Sequence, residues 1–245
     1  MKKTFLYVIG AIVALALVAY LGLAFFLGSI VKAGVNRFGP KITGTNVELA
    51  SAEISPLNGH GTLRGITVGN PPGWSNANAF YLGKVHVEMR PFSVFGDHIV
   101  IDEISIDQPE FLYETKIVSS NIGDLLKAVE AATGNKSAEA TAKNGQPVKF
   151  EVKHFRMQGG KVMLGVGVAA LPLPMPPIEL HNLGTDEGGI TSSQLAFAIM
   201  RSVTTGIVGT TIQAAGKIGG TMGAAAGDAA KKAGEGLKSL FERKK

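Results

Sequence analysis

The sequence of 245 residues predicts an α+β chain, mainly β. An N-terminal transmembrane helix leads into a curved antiparallel sheet with short covering helices, and a helical tail closes the chain. Three observations predict this. Residues 4–31 carry no charge, and 5–27 are almost wholly apolar. Apolar and polar residues then alternate with a period of two through much of 43–114 and 148–183, as strands do. From Ser192 the apolar positions recur with a helical period instead. The chain divides accordingly into an anchor (1–31), a first β-rich part ending in a short helix (32–132), a linker (133–147), a second β part of the same body (148–191) and a helical, Gly/Ala-rich basic tail (192–245).

The anchor follows from length. A helix needs about 20 apolar residues to cross the hydrocarbon core, and 5–27 supplies them. Lys2 and Lys3 would also suit a cleaved signal peptide, the competing reading. Against it, the apolar stretch exceeds the roughly 7–15 residues of such a segment and passes Ala14 and Ala16 without a polar break. Basic residues lie on both sides of the span, with Lys32, Arg37 and Lys41 after it, so charge alone does not orient it. A very short N-terminal tail before a large domain favours a cytoplasmic N-terminus and an exported body.

Strand signals follow. Val47 and Leu49 start one strand, and 63–68 forms another after the turn dipeptide Asn58-Gly59. Val85, Val87 and Met89 alternate with Lys84, His86, Glu88 and Arg90. Ile99 and Ile101 alternate too, but Asp102-Glu103 inserts one extra residue before Ile104 and Ile106. A β-bulge there would keep both pairs on one face. Pro71-Pro72-Gly73 and Gln108-Pro109 punctuate the run.

A short helix comes next, capped by Ser120 or Asn121, with Leu125, Leu126 and Val129 on its apolar face and Gly134 at its end. The polar, small-residue stretch 133–147 reads as a linker. Val148, Phe150 and Val152, then Val162, Leu164, Val166 and Val168, give a second strand group. The proline-rich run 171–177 cannot sit inside a sheet and is expected to skirt an edge before 178–183 pairs again. In the tail, Leu195, Ile199, Met200, Val203, Ile207 and Ile212 share a helical face capped by Ser192 or Ser193. Gly219, Gly223 and Gly227 recur every four residues, which suits close helix packing, a flexible tail being the alternative.

Composition excludes several chemistries. With no cysteine there is no disulfide, thiol nucleophile or Cys-based zinc site. His60, His86, His98, His154 and His181 fall in no metal-binding motif. Asp97, Asp102, Glu103 and Asp107 flank an apolar strand and read as solvated strand-end carboxylates. Glycines 216–227 lack phosphate-loop spacing, and Asn135-Lys136-Ser137 is a short sequon of the kind that arises by chance. The net charge of +5 lies largely at the two ends, without the basic stripe of a nucleic-acid binder. No catalytic residue, metal or cofactor is predicted, and no nucleic-acid partner.

Certain stretches carry a resemblance. Thr43-Gly44-Thr45-Asn46-Val47 matches a TGxxV strand start. Gly59, Gly61, Leu63, Val68, Asn70, Pro71 and Gly73 match a GxGxLxxLxVxNPxG unit, with Ile66 at its second apolar position. Ile99, Ile101, Ile104, Ile106, Pro109 and Glu114 match IxIxxIxIxxPxxxxE. Together with the N-terminal anchor, this pattern over about residues 1–130 resembles the N-terminal region of AsmA-like proteins. The resemblance implies an inner-membrane anchor, a β-rich periplasmic body and an apolar groove that takes lipid acyl chains. This chain has strands for only one short module, which fits a lone or stacked unit better than a bridge across the periplasm.

The expected function is therefore non-enzymatic: an envelope protein that binds or helps transfer membrane lipid through its apolar sheet face. The groove candidates are Val85, Val87, Met89, Ile99, Ile101, Ile104 and Ile106. A fully closed core is the plain alternative. A scaffold for other envelope proteins, acting through exposed sheet edges, is the second functional reading. An envelope hydrolase is the third, and it lacks a nucleophile–base or acid–base cluster.

Overall fold

The computed structural model describes residues 2–116, 118–141, 145–165 and 171–218. Val166, Val168, the glycine series 219–227 and the terminal basic cluster lie outside the described residues. Helix α1, Lys2–Thr43, runs well past the predicted anchor. Gly44, with φ of +69°, ends it by donating its N–H to the Pro40 carbonyl at 2.9 Å, in the left-handed conformation that glycine adopts without strain. Residues 9–43 are long and apolar enough to cross a membrane by length and composition.

The second half of α1 lies along strand β1, Val47–Ile54, and runs against its direction. Tyr20 Oη is 3.2 Å from Ser55 Oγ, and Asn36 Oδ1 accepts the Leu49 N–H at 2.7 Å. Between them Gly28 meets the strand so closely that a Cβ there would lie 2.2 Å from the Ala52 carbonyl oxygen. Helix α1 thus closes the β1 edge of the sheet.

The remaining strands are β2 (His60–Gly69), β3 (Asn78–Met89), β4 (Ile99–Asp107), β5 (Glu110–Tyr113), β6 (Lys149–Gln158), β7 (Lys161–Leu164), β8 (Leu171–Pro174), β9 (Ile178–Leu183) and β10 (Ile190–Thr191). The sheet is mixed, a correction to the antiparallel expectation. β4 pairs with β6 in parallel, and β5 with β7. Ile99 faces Phe150 and Tyr113 faces Leu164, a constant offset of 51 residues. β4 and β5 therefore act as one long interrupted strand, and so do β6 and β7. The same holds for β8 and β9, where Leu171 faces Leu164 and Leu183 faces Val152 without loss of register. Parallel neighbours need a long crossover, and residues 114–148 provide it through helix α2, Asn121–Ala132.

Two lines of phase shift cross this sheet. The first passes through facing positions Ala50, Gly65, Gly83, Gln108, Gly159 and Pro176, whose neighbours on each side keep one register. Gly65, Gln108 and Gly159 have φ of +63°, +52° and +65°, so the line is marked by left-handed backbone. On one side of it the apolar partners are Phe80, Phe111, Val162 and Leu173; on the other they are Val85, Ile106, Met157 and Ile178. Strict alternation would send these two sets to opposite faces, yet they share one core. The second line runs through Asp102, Lys153 and Asn182, the last with φ of +55°. It contains the predicted bulge: Glu103 faces Glu88 and Ile101 faces Met89, leaving Asp102 unpaired. Lys153 is skipped in the same way, and its Nζ reaches Asp102 Oδ1 at 3.0 Å.

Helix α2 is capped by Ser120, whose Oγ accepts the Gly123 N–H at 3.0 Å, and it buries Ile122, Leu125, Leu126 and Val129. Helix α3, Ser192–Ile218, buries Met200, Val203, Ile207 and Val208 among strand and α2 side chains. Its cap is Thr191 rather than the expected Ser192 or Ser193. Thr191 N–H donates to Gln194 Oε1 at 2.9 Å, and Gln194 N–H answers to Thr191 Oγ1 at 3.4 Å, a reciprocal capping box. Ile212, expected on the apolar stripe, is exposed.

Residues 133–147 hold a structural anchor despite their linker-like composition. Glu139 is 4% exposed and accepts hydrogen bonds from Thr191 Oγ1 and Ser192 Oγ at 2.7 Å each, and from Ser193 Oγ. Burial pushes its pKa up, but these bonds to Ser193, Ser192 and Thr191 outweigh it and hold the carboxyl below the ordinary range. A depressed pKa means stability that is present above the unfolded value and lost as pH falls through the folded one. Glu139→Gln is expected to cost about 1.5–3 kcal/mol at neutral pH. The gap in Tm between the two proteins should narrow on acidification, which thermal melts across pH measure.

Candidate functional site

The seven predicted groove residues do share one face. Val85 opposes Ile106, Val87 opposes Ile104, and Met89 opposes Ile101 across the β3–β4 ladder, with the bulge at Asp102 preserving their common side. Parallel pairing extends these rows to Phe150, Val152, Phe155 and Met157 on β6. Antiparallel pairing extends them on the other side to Gly61 and Leu63 on β2.

Burial divides the set. Val85, Ile101 and Ile106 belong to the closed core, Val85 being only 4% exposed. Val87, Met89, Ile99 and Ile104 are half-buried, as are neighbouring Ile54 and Leu63. The division follows the helices. α3 packs on β6 to β10, where Val152 and Phe155 are sealed, while the β2–β4 side between α1 and α3 keeps its apolar rows partly open. The sequence showed which side these residues share but not this gradient, which depends on where α3 lies.

The other face is polar and paired. Arg90 Nε sits 3.1 Å from both oxygens of Asp102, and its hydrogen bond is the main cause lowering the Asp102 pKa; burial opposes it and Lys153 reinforces it. Arg156 reaches Glu103 at 3.3 Å, and Gln158 Nε2 donates to Asp107 at 2.7 Å. His154 and His181 meet edge to face, 4.9 Å between centroids, across β6 and β9. Among the described residues no group of three or more His, Asp or Glu side chains is placed to hold a metal ion. A cleft of about 670 Å³ runs beside α1, with Ala50, Ala52 and Ile54 as well as Lys32, Glu53 and His60 in its wall.

The short motifs converge at the far end of the sheet. Thr45 Oγ1 donates to the Asn70 carbonyl at 2.8 Å. Buried Glu114 accepts from Ser75 Oγ at 2.5 Å, Ser75 N–H at 3.2 Å and Asn70 Nδ2 at 3.4 Å. Asn121, at the start of α2, donates to Asn70 Oδ1 and to the Leu112 carbonyl, both at 2.7 Å. Trp74 lies against the same knot, donating to Asp124 at 3.0 Å with Lys116 Nζ 4.4 Å above its ring. Thr45, Asn70 and Glu114 thus tie the loop after β2 to α2, a structural role. Sequence reasoning missed Asn121 and Ser75 as members of it.

No family model, curated protein or solved structure matches this chain. The reading of the apolar face therefore rests on its geometry and on the short motifs themselves.

Proposed function

We propose that this is a non-enzymatic protein held in an inner membrane by α1, with its body in the periplasm, that binds or helps transfer lipid on its apolar sheet face. One observation carries the reading: the same apolar rows that are sealed beneath α3 continue half-open across β2–β4. An acyl chain is the ligand class that gains most from such a strip, at about 25 cal/mol per Å² of apolar surface removed from water. The bulge at Asp102 and the left-handed residues along the first line would bend the strands and give that face a concave side. The AsmA-like motif pattern supports the same role. The scaffold reading is weaker: α1 lies along the β1 edge, and proline occupies alternate positions of β8.

Two valines on one strand test this. Val85→Asp places an unpaired charge in the closed core, at a cost of several kcal/mol, and is expected to lose the fold. Val87→Asp, two residues on, is expected to fold and to lose co-purifying lipid. Lipid extraction and mass spectrometry of the full chain in mild detergent read both. A folded Val87→Asp protein that retains lipid at the wild-type level removes this face as the site.

A further inference from the structure

Outside α1, four of the seven exposed large apolar side chains among the described residues gather at one end of the sheet, Tyr81, Val118 and Ile212 lying elsewhere. Leu57 is 77% exposed, Phe92 82%, Val94 47% and Phe95 86%. Leu57 lies in the β1–β2 turn, and the other three lie in the one-turn segment Pro91–Phe95 between β3 and β4. The two turns are packed together. Met89 N–H donates to the Gly59 carbonyl at 3.0 Å, and a Cβ on Gly59 would lie 3.0 Å from Pro91 Cδ.

Helix α1 sets the height of this tip. Tyr20 Oη reaches Ser55 Oγ in the first of the two turns. Tyr20 lies seven residues before Leu27, the end of the apolar run. At about 1.5 Å per residue, that contact sits about 10 Å below the level at which the run ends. Apolar faces of interfacial segments sink about 5–10 Å into the headgroup and acyl boundary. Within the turn two backbone groups are satisfied locally, because Ser93 Oγ donates to the Arg90 carbonyl at 2.6 Å and accepts the Val100 N–H at 2.9 Å.

We propose that Leu57, Phe92, Val94 and Phe95 insert into the leaflet from which α1 emerges, giving the body a second membrane contact beside its anchor. The inference rests on α1 spanning the bilayer. The body is then held with its strand ends against the lipid, and the half-open apolar rows start at the membrane surface.

The chain has no cysteine, so single labels are clean. Phe95→Cys, Val118→Cys and Val13→Cys in the full chain are each given an environment-sensitive fluorophore. They are reconstituted in phosphatidylethanolamine–phosphatidylglycerol vesicles containing nitroxide lipids. Val118 is a matched control, 82% exposed and beyond β5 at the opposite sheet end. Val13 reports the span. The expected result is quenching at Phe95 several-fold stronger than at Val118, and stronger for nitroxides high on the acyl chain than for deep ones. Equal quenching at Phe95 and Val118, with Val13 quenched, overturns the tip and leaves the anchor standing. A Phe95 label shielded from aqueous iodide yet unquenched by lipid nitroxides means that protein covers the patch, and it also overturns the proposal. An unquenched Val13 removes the anchor and the proposal with it.

Discussion

A chain ended after Ser192 is expected to lose its folded body altogether. Helix α3 contributes Met200, Val203, Ile207 and Val208 to the core, Ile207 being fully buried. At about 1.5–3 kcal/mol for each buried apolar side chain, the four contribute about 6–12 kcal/mol. That is comparable with the whole stability of a domain, about 5–15 kcal/mol. Hydrogen exchange is the direct measurement. In the intact protein the amides of β6 and β9 should be strongly protected, and in the truncated chain they should exchange at the unfolded rate. The point substitution Ile207→Asp should reproduce the loss, whereas Ile212→Asp, at an exposed position of the same helix, should be tolerated. A truncated chain that keeps its protection would show that α3 is not part of the core.

Removing a single residue from a phase-shift line should be nearly as severe. Without Asp102 the strand reads Ile-Val-Ile-Glu-Ile-Ser-Ile, a strict alternation that keeps its four isoleucines on one side and makes its register with β3 continuous. β6 still carries Lys153 opposite the deleted position, so the residues on one side of it slip by one against β6. The expected cost is several kcal/mol, from ladder hydrogen bonds lost at about 1 kcal/mol each and apolar rows thrown out of line. Deleting Lys153 as well removes the slip, and Phe150, Val152, Phe155 and Met157 then share one side by strict alternation too. The double deletion is therefore expected to recover much of the loss in thermal or denaturant unfolding. No recovery would mean that the skipped pair is needed for the local bend of the strands rather than for their register.

Much of the fold was legible because a period of two reports which residues share a side. The bulge at Asp102 follows from Ile101-Asp102-Glu103-Ile104, and the matching spacing Val152-Lys153-His154-Phe155 stood in the sequence as a second copy of the same signal. What alternation does not encode is the partner. Nothing in the side-chain order of β6 says that it runs beside β4 rather than beside β7, so the parallel pairing came only from the structure. Glu139 was illegible for another reason. Its neighbours are small and polar, and it is buried only because the hydroxyls of Thr191, Ser192 and Ser193 arrive from more than fifty residues downstream. The face of the candidate site was likewise readable from β3 and β4 alone, but its open and closed halves depend on the resting place of α3.

The prolines of β8 have a consequence for crowding in two dimensions. The Met175 N–H points inward to the Gly160 carbonyl at 2.9 Å, so in an alternating strand Pro172 and Pro174 occupy the outward donor positions. In the membrane-anchored state proposed above, molecules tethered by α1 would diffuse in one plane with their strands in a common orientation. Sideways encounters between sheet edges are then frequent and already aligned, the arrangement that most favours strand-to-strand polymerisation. A neighbouring strand that meets β8 finds carbonyls but no N–H groups at those positions, and the ladder does not start. On the opposite flank α1 lies over β1 and bars the same route. If α1 is the tether proposed above, the concentration it brings meets two stretches of sheet edge, at β8 and β1, that do not accept a new strand.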